Sequence, residues 1–319
     1  MIDVAREVAD AEARIRPHIR ETPLEPSPYF GAAGSAEVVL KCENLQHTGS
    51  FKVRGALSKV LSLSEEERAR GVVTASTGNH GAAVSFALGK VGGTGVVFVP
   101  ETAAATKLAA IERLGGEIRR HGTDSGETEL FARRYAEETG ATYVPPYNDA
   151  RVIGGQGTIG AELARQADRL DAVYVSVGGG GLIAGIGGYL KGLSPDTQVI
   201  GCSPAASQVM VQSVAAGKIL DLPSEPTLSD GTAGGVEPDA ITLPLVQRYV
   251  DRFVTVSEAE IRAALRQFMD AHHMMIEGAA AVALAAYLKD AAAWRGKTVA
   301  IVLCGANISL EVLRDVLQD

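Results

Sequence analysis

Short runs of β-branched residues alternate with longer helix-forming segments along most of the chain. Several of these runs end near a glycine and are followed by small residues that favour helices, as in 82–88 and 182–190. Such alternation is typical of a mostly parallel sheet with helices on both faces. It therefore predicts an α/β protein. The predicted strands cover residues 38–41, 71–75, 95–99, 172–177, 198–201 and 298–303.

Two helix starts can be identified directly. Ser64 and Ser257 each begin a Ser-x-x-Glu capping box, in which the serine and the glutamate satisfy free backbone groups. Gly71 follows the first of these helices, at the place where a C-terminal stop is expected.

The 319 residues, 46% of them hydrophobic, can bury a large core and favour two lobes. The proline-rich stretch 144–147 is the predicted crossing between the lobes. We therefore expect a small domain of residues 71–147 and a large domain of residues 1–70 and 148–319. An irregular stretch, 222–244, is too long for a plain connector. It either lines a site or an interface, or is a surface excursion.

Charge and apolar runs exclude several classes of function. The chain has 30 basic and 38 acidic residues, a net charge of −8, and its basic residues are scattered, so no nucleic-acid surface is expected. The longest apolar run, 278–288, is about half of the ~20 residues that a membrane-spanning helix needs, so no membrane partner is expected. The N-terminus has no signal-peptide core.

Three cysteines without a CxxC pair favour a reducing compartment, so we expect a cytoplasmic protein.

Four glycine-centred segments contain the candidate functional residues, and the first covers residues 48–56. It places Lys52 among small residues, next to the aromatic Phe51. Such a lysine is usually solvated on the surface. Burial would instead lower its pKa and make it a Schiff-base nucleophile.

The second segment, residues 74–81, runs from a strand end into a helix and contains Ser76, Thr77, Gly78 and Asn79. Free backbone N–H groups at such a junction bind anions, here a carboxylate. In the alternative interpretation, Ser76 or Thr77 caps the helix and the adjacent histidine belongs to the core.

The third segment consists of Gly178, Gly179, Gly180 and Gly181, followed by Leu182. Four consecutive glycines are costly in conformational entropy, and their N–H groups can surround a phosphate at a helix start. The sequence lacks both the Lys-Ser/Thr pair of a Walker loop and GxGxxG spacing.

The fourth segment, residues 303–307, places Cys304 at the end of the predicted strand 298–303. Open α/β sheets bind ligands at strand ends, although a lone buried cysteine is usually only a small hydrophobe. Together the four segments supply a lysine, an anion-binding turn, a phosphate cup and a neutral polar group. This set suits pyridoxal phosphate, which needs a Schiff base, a phosphate anchor and a partner for its ring nitrogen.

The chain resembles the fold-type II pyridoxal-phosphate enzymes, specifically the threonine/serine dehydratase and serine racemase group. The resemblance implies two open parallel-sheet lobes of the tryptophan synthase β type, with pyridoxal 5′-phosphate between them and the large domain as the cofactor-binding one. The matching segments run through nearly the whole chain and cover residues 20–24, 48–56, 76–81, 154–159, 178–182, 276–280 and 304–307.

The resemblance also implies a role for individual side chains. Lys52 would hold the cofactor as a Schiff base and take the proton from the substrate Cα, and Phe51 would pack beside the ring. Asn79 would hydrogen-bond the 3′-oxygen of the cofactor. Cys304 would face the ring nitrogen, and Glu277 would be a further cofactor-binding residue.

For the loops, the resemblance implies that residues 178–182 bind the phosphate and that residues 76–80, Ser76 to His80, hold the substrate carboxylate. Thr77, the second predicted catalytic residue, stands where racemases of the group have a serine as acid on the opposite ring face. Its methyl group restricts χ1 and crowds that face. Relatives with a divalent cation have acidic ligands where this chain has Ser203, Ser207 and Val209, so no metal is predicted.

The identity of Cys304 favours elimination. A thiol with the ordinary pKa of about 8.5 is neutral and cannot stabilise a protonated ring nitrogen, so a long-lived carbanion is disfavoured. We therefore expect a dehydratase that removes water from a β-hydroxy amino acid of the L-threonine or L-serine type, giving a 2-oxo acid and ammonia. The alternatives are a serine racemase-like enzyme, a dehydratase of 3-hydroxyaspartate or phenylserine, and a non-catalytic cofactor carrier.

The family further implies a homodimer whose ligand is a small amino-acid substrate. The chain ends at Asp319, soon after Cys304. The resemblance therefore predicts that the regulatory domain of biosynthetic threonine dehydratases, and its feedback control, are absent.

Overall fold

The computed structural model describes residues 2–318, and of residues 106 and 107 the backbone alone. Within this range, helices cover both faces of two separate sheets. The strands are β1 (Leu24–Pro26), β2 (Glu37–Lys41), β3 (Val72–Ala75), β4 (Gly95–Val99), β5 (Glu117–Arg120), β6 (Thr142–Tyr143), β7 (Ala172–Ser176), β8 (Gln198–Pro204), β9 (Arg252–Val256) and β10 (Thr298–Val302).

The helices connect and flank these strands, and short 3₁₀ turns cover Arg16–His18, Glu43–Leu45, His47–Gly49 and Ala291–Trp294. The α-helices are α1 (Val4–Ile15), α2 (Pro28–Gly34), α3 (Lys52–Ser62), α4 (Glu65–Arg70), α5 (Asn79–Val91), α6 (Ala105–Arg113), α7 (Ser125–Thr139), α8 (Ala150–Gln166), α9 (Gly181–Leu193), α10 (Val209–Ala216), α11 (Thr242–Tyr249), α12 (Glu258–His272), α13 (Gly278–Asp290) and α14 (Leu310–Gln318). None of these helices combines the length and the apolar character that a membrane crossing requires.

The larger sheet has the strand order β1-β2-β10-β7-β8-β9 and the smaller one β5-β4-β3-β6. Every neighbouring pair is parallel except β1 and β2. The strand order reverses between β10 and β7 in the larger sheet and between β3 and β6 in the smaller one. Open α/β sheets bind ligands at the carboxyl ends of strands where such a reversal occurs.

Helix α3 packs against elements of both sheets. Its residues Val53 and Leu57 belong to a buried cluster that also contains residues of β3 and α5. On its other side it crosses α8 so closely that a Cβ on Gly155 would lie 2.5 Å from the backbone oxygen of Arg54. The start of α3, where Lys52 lies, is therefore fixed from two directions.

The structure confirms the predicted α/β architecture and all six predicted strands, with small differences at their ends. Both predicted capping boxes form, at Ser64 and Ser257, and Gly71 ends α4 with a φ of 92°. The four strands that the sequence did not predict, β1, β5, β6 and β9, are the outermost strands of the two sheets. All strands of the smaller sheet fall between residues 72 and 143, and the domain boundary at residues 71–147 stays a prediction.

Candidate active site

At the carboxyl ends of the strands, loops of the two sheets meet. Asn79, which follows β3, hydrogen-bonds Glu277 at the start of α13. Tyr147, which follows β6, packs against the glycine loop after β7 so closely that a Cβ on Gly179 would lie 2.3 Å from its ring. Both contacts lie beside the points where strand order reverses, so these loops enclose one site.

Lys52 is the first residue of α3, and its amine donates a hydrogen bond to the carbonyl oxygen of Pro146 at 3.0 Å. The preceding segment is tied to the end of β10, because the backbone N–H of Phe51 donates to the carbonyl of Cys304 at 3.1 Å. The Phe51 ring centroid is 5.3 Å from the Lys52 amine. Three predicted site residues are thus brought together.

The Lys52 amine has no carboxylate in direct contact, although its side chain is only partly exposed. Burial lowers its pKa to about 8, against the smaller opposing influence of Cys304 and Glu277. An amine with such a pKa is deprotonated in an appreciable fraction of molecules at neutral pH, as a nucleophile or base requires. The structure therefore favours the nucleophile interpretation over that of a solvated lysine.

Asn79 lies between two polar groups of the larger sheet. Its Nδ2 is 3.0 Å from both carboxylate oxygens of Glu277, and its Oδ1 is 2.6 Å from Nδ2 of Asn307. Asn307 also donates its backbone N–H to Glu277 at 3.1 Å. The three side chains form one connected hydrogen-bond network.

One buried acidic group belongs to this network, and a second has an electrostatic influence on it. Glu277 is 5% exposed, and burial raises its pKa to about 7 even though Asn79 donates to it. Cys304 is 2% exposed, and burial raises the pKa of its thiol well above the usual value. Cys304 is therefore a neutral group at neutral pH.

The glycine loop after β7 forms a closely lined cradle at the start of α9. A Cβ on Gly178 would lie 3.1 Å from backbone atoms of Thr232, and one on Gly181 would lie 2.9 Å from Tyr147. Gly180 has a φ of 84°, which disfavours any larger residue. No side chain caps α9, so its first N–H groups are free of a capping partner, and a phosphate fits this helix start.

The irregular stretch 222–244 lies against this site. Thr232 covers Gly178, and Gly231 lies near Glu277, with 3.7 Å between a Cβ placed on the glycine and the carboxylate. The interpretation as a site-lining segment is therefore supported over that of a surface excursion.

The turn after β3 contains Ser76, Thr77 and Gly78 and leads into α5 at Asn79. The alternative in which Ser76 or Thr77 caps the helix is wrong, since Gly78 is the N-cap and no side chain caps it. The Ser76 hydroxyl instead accepts from the Gly78 N–H at 3.2 Å, which leaves this helix start available to an anion.

His80 points away from the turn into the smaller sheet. It is 3% exposed, and its Nε2 donates to the carbonyl of Val144 at 2.9 Å. Burial lowers its pKa to about 3, so it is neutral. Only its backbone belongs to the turn, and its side chain is the core histidine of the alternative interpretation.

Three residues at the site were not predicted from the sequence. Pro146 contributes a backbone oxygen, which no residue type signals. Tyr147 and Asn307 lie within motifs that were noted, 144–147 and 304–307, but only the fold places them against Gly179 and Asn79. In the described part of the chain, no group of three or more His, Cys, Asp or Glu side chains could hold a metal ion.

An open α/β fold with a buried lysine, a glycine-lined helix start and a neutral thiol at the same strand ends defines a fold-type II pyridoxal-phosphate enzyme. The family model described as pyridoxal-phosphate dependent enzyme matches residues 15–305. The chain therefore belongs to this family, which confirms the predicted fold and cofactor.

Individual relatives show which enzymes of this family the chain is similar to. The chain is 39% identical over 304 residues to the beta-hydroxyaspartate dehydratase of Paracoccus denitrificans, covering 95% of this chain and 96% of that protein. It is 38% identical over 307 residues to the L-threonine ammonia-lyase of Thermotoga maritima, covering 96% of this chain and 76% of that protein. The structure of maize serine racemase superposes with a TM-score of 0.92 at 33% identity, covering 98% of this chain and 95% of that one.

Proposed function

We propose that this protein is a pyridoxal-phosphate-dependent dehydratase, an ammonia-lyase that removes water from a β-hydroxy amino acid of the L-threonine or L-serine type. The products are a 2-oxo acid and ammonia. The observation that carries the proposal is the pairing of a buried amine of lowered pKa, Lys52, with a neutral thiol, Cys304, at one site. The names of relatives, L-threonine ammonia-lyase and beta-hydroxyaspartate dehydratase, support it.

The residues present fit the cofactor. Lys52 would hold it covalently through the amine, and the N–H groups of residues 178–182 would bind its phosphate. Phe51 would pack beside its ring, Asn79 would donate to the ring oxygen, and Cys304 would face the ring nitrogen. When bound, the cofactor withdraws electrons from the substrate Cα and makes the Cα proton acidic.

The protein's own residues then move the proton and orient the substrate. The free N–H groups of the turn at Ser76–Asn79 would bind the substrate carboxylate and fix the direction of the Cα–H bond. The Lys52 amine, released from the cofactor when the substrate amine takes its place, has a pKa near 8 and would accept the Cα proton at its Nζ atom. The β-hydroxyl would leave as water, with the proton taken from Cα making up the balance. The remaining enamine would take up one water in solution and give the 2-oxo acid and ammonia.

Cys304 directs the reaction towards elimination. Its thiol is neutral because burial raises its pKa, so it places no negative charge beside the ring nitrogen. Without that charge the ring accepts electrons less strongly, and expulsion of the hydroxyl competes well against return of the proton to Cα.

Two alternatives have support of their own. The structural similarity to maize serine racemase favours a racemase, in which Thr77 would act as acid on the opposite ring face. The partly exposed Thr77 carries a hydroxyl, but its methyl group crowds that face. The relative named beta-hydroxyaspartate dehydratase favours a larger hydroxyamino acid as substrate.

A substrate panel tests the proposal. The purified enzyme is incubated with L-threonine, L-serine, 3-hydroxyaspartate and phenylserine, and 2-oxo acid release is measured together with chiral analysis of the recovered substrate. Rapid 2-oxo acid release with unchanged configuration is expected. Inverted substrate without 2-oxo acid would establish a racemase. The absence of both 2-oxo acid and inverted substrate would overturn the proposal.

The assembly and the domain division belong to the same proposal. Residues 71–147 would form the small domain, which would close on the substrate carboxylate and exclude water. A second copy of the chain would cover the exposed side chains of Leu45 and Met275, whose segments are joined by the hydrogen bond from Asn44 to the Met275 carbonyl. Sedimentation of a 66-kDa species, about twice the chain mass of 33.2 kDa, would support the homodimer.

The three free, buried cysteines suit a cytoplasmic protein.

A further inference from the structure

The amide of Asn79 is held from both ends by groups of opposite character. Its Nδ2 lies 3.0 Å from each oxygen of Glu277, and its Oδ1 lies 2.6 Å from Nδ2 of Asn307. The ionised carboxylate of Glu277 can only accept hydrogen bonds, and the amide NH₂ group of Asn307 can only donate them. The amide of Asn79 therefore has one favourable orientation, with its nitrogen towards Glu277.

Asn307 is itself held in one orientation. Its Nδ2 donates to the backbone oxygen of Thr48 at 2.8 Å as well as to Asn79, so both of its amide hydrogens are used. Its backbone N–H donates to Glu277, which fixes the carboxylate relative to the amide. Thr48 adopts the left-handed conformation, with a φ of 63°, which a β-branched residue rarely adopts without a partner that holds it.

One N–H of the Asn79 amide has no hydrogen-bond partner within the network. The two oxygens of Glu277 are equidistant from Nδ2 and share one of its hydrogens, which leaves the second N–H without a partner in the network. If the amide were reversed, that position would present a carbonyl oxygen instead. The two orientations thus differ in whether Asn79 offers a donor or an acceptor.

We propose that Glu277 and Asn307 are positioning residues, which fix the amide of Asn79 so that it offers an N–H to the ring oxygen of the cofactor. An N–H at this place stabilises an ionised ring oxygen, whereas a carbonyl would repel it. This inference rests on the proposed function, because it needs the cofactor ring to lie against Asn79.

The network also joins the two sheets. Asn79 begins α5 on the smaller sheet, whereas Glu277 precedes α13 and Asn307 follows β10 on the larger one. The same hydrogen bonds that orient the amide therefore tie the start of α5 to the segments around α13 and β10. A change in Asn307 acts on the cofactor through Asn79.

The test uses Asn307→Asp, which has nearly the same shape but replaces the donor by an acceptor. Pyridoxal 5′-phosphate affinity is measured by fluorescence titration, and the visible absorption of the bound cofactor is followed from pH 6 to 10. We expect affinity to fall by about tenfold, as for the loss of ~1 hydrogen bond to a charged group, with a shift in the absorption profile. Asn44→Asp is the control for the amide-to-carboxylate change itself, because Asn44, in the 3₁₀ turn Glu43–Leu45, donates to the carbonyl of Met275 and lies outside the network.

A double-mutant cycle with Asn79→Ala separates positioning from a general structural role. Since Asn307 acts through Asn79, the Asn79→Ala/Asn307→Asp enzyme should lose no more cofactor affinity than Asn79→Ala alone. Glu277→Gln should show the same lack of additivity. Fully additive losses, or an unchanged affinity and spectrum in Asn307→Asp with a native melting temperature, would overturn the inference. Failure of the wild-type enzyme to bind pyridoxal 5′-phosphate would instead overturn the proposed function.

Discussion

Helix α3 carries two buried cations, two residues apart, in opposite electrostatic settings. Arg54 lies in a cluster with Lys41, Glu43 and Glu162, here called the paired cluster, whose side chains are fully buried. Arg54 Nε is 2.7 Å from Glu43, and its Nη1 is 2.8 Å from Glu162. Each charge of the cluster therefore contacts a charge of opposite sign.

Lys52 lies in the contrasting setting, among groups without a contacting counter-charge. Its amine donates to the neutral carbonyl of Pro146, and Glu277 accepts from the neutral amide of Asn79. Burial opposes ionisation in both regions, but the contacting carboxylates raise the pKa of Arg54, whereas nothing comparable offsets burial at Lys52. Paired charges hold the fold, and unpaired ones can exchange protons near neutral pH.

The largest effect should follow from removing the unpaired amine. Lys52→Ala is expected to abolish 2-oxo acid release and the visible absorption of bound cofactor, while stability is kept or raised because a buried amine is lost. Borohydride should no longer fix pyridoxal phosphate to the peptide around position 52. Lys59→Ala is the control on the same helix, since Lys59 is paired with Asp149 at 2.7 Å. A Lys52→Ala enzyme that turns over substrate would mean that the lysine assignment is wrong.

Removing a charge from the paired cluster should instead lower the stability of the fold and leave the cofactor absorption unchanged. Arg54→Met leaves Glu43 without a contacting cation, so we expect a loss of about 3–5 kcal/mol in the free energy of unfolding. Urea denaturation measures this loss, and the absorption of the cofactor bound to the folded fraction should not shift. Arg151→Met, which breaks a partly exposed pair with Glu7, should cost only about 0–1 kcal/mol. Equal losses of unfolding free energy in Arg54→Met and Arg151→Met would contradict the contrast between a buried and a partly exposed ion pair.

Burial decided which strands the sequence could predict. The six predicted strands are the inner ones, whose neighbours on both sides and helices on both faces leave continuous β-branched runs. Three of the edge strands carry no such run: β1 is Leu-Glu-Pro, β5 is Glu-Ile-Arg-Arg and β6 has two residues. The fourth, β9, is Arg-Phe-Val-Thr-Val and does carry one, but it was not predicted from the sequence. Charged edges prevent pairing with other chains, so the feature that protects an edge also hides it from sequence analysis.

The site follows a similar division. Lys52 and the four glycines lie in local motifs, where a required backbone shape restricts the residue type, and they could be predicted. The contacts of Lys52 with Pro146, and of Asn79 with Asn307, join residues 94 and 228 positions apart, and no local pattern encodes them. The paired cluster was missed for the same reason, since Lys41 and Glu162 are 121 positions apart.

The pH dependence of stability should separate the two regions further. Burial raises the pKa of Glu277 from 4.5 to about 7, beside Lys52, Asp230 and the neutral Cys304. The folded protein then binds this proton more tightly than the unfolded one, so stability falls as the pH rises from 4.5 through 7, by at most ~3 kcal/mol.

Glu277→Gln should remove that slope, which urea denaturation at pH 5.5 and 8.5 would measure. Glu162 provides the contrast. Burial opposes its ionisation, but Arg54 and Lys41 lower its pKa to about 2, so its contribution rises with pH below 4.5. An unchanged pH dependence of stability in Glu277→Gln would show that the pKa of Glu277 is not raised in the folded protein.

The smallest effect is expected at Cys304, where one neutral group can replace another. Cys304→Ser keeps a neutral polar group at the end of β10, so kcat should change by less than about tenfold, within the worth of ~1 hydrogen bond. Cys304→Asp instead introduces a charge next to Glu277, which disfavours ionisation of both carboxyls and favours a charged Lys52 amine. That variant should eliminate water more slowly and convert more cofactor to the amine form by transamination, which product analysis measures. If serine and aspartate gave the same ratio of products, the neutrality of Cys304 would have no part in directing the reaction.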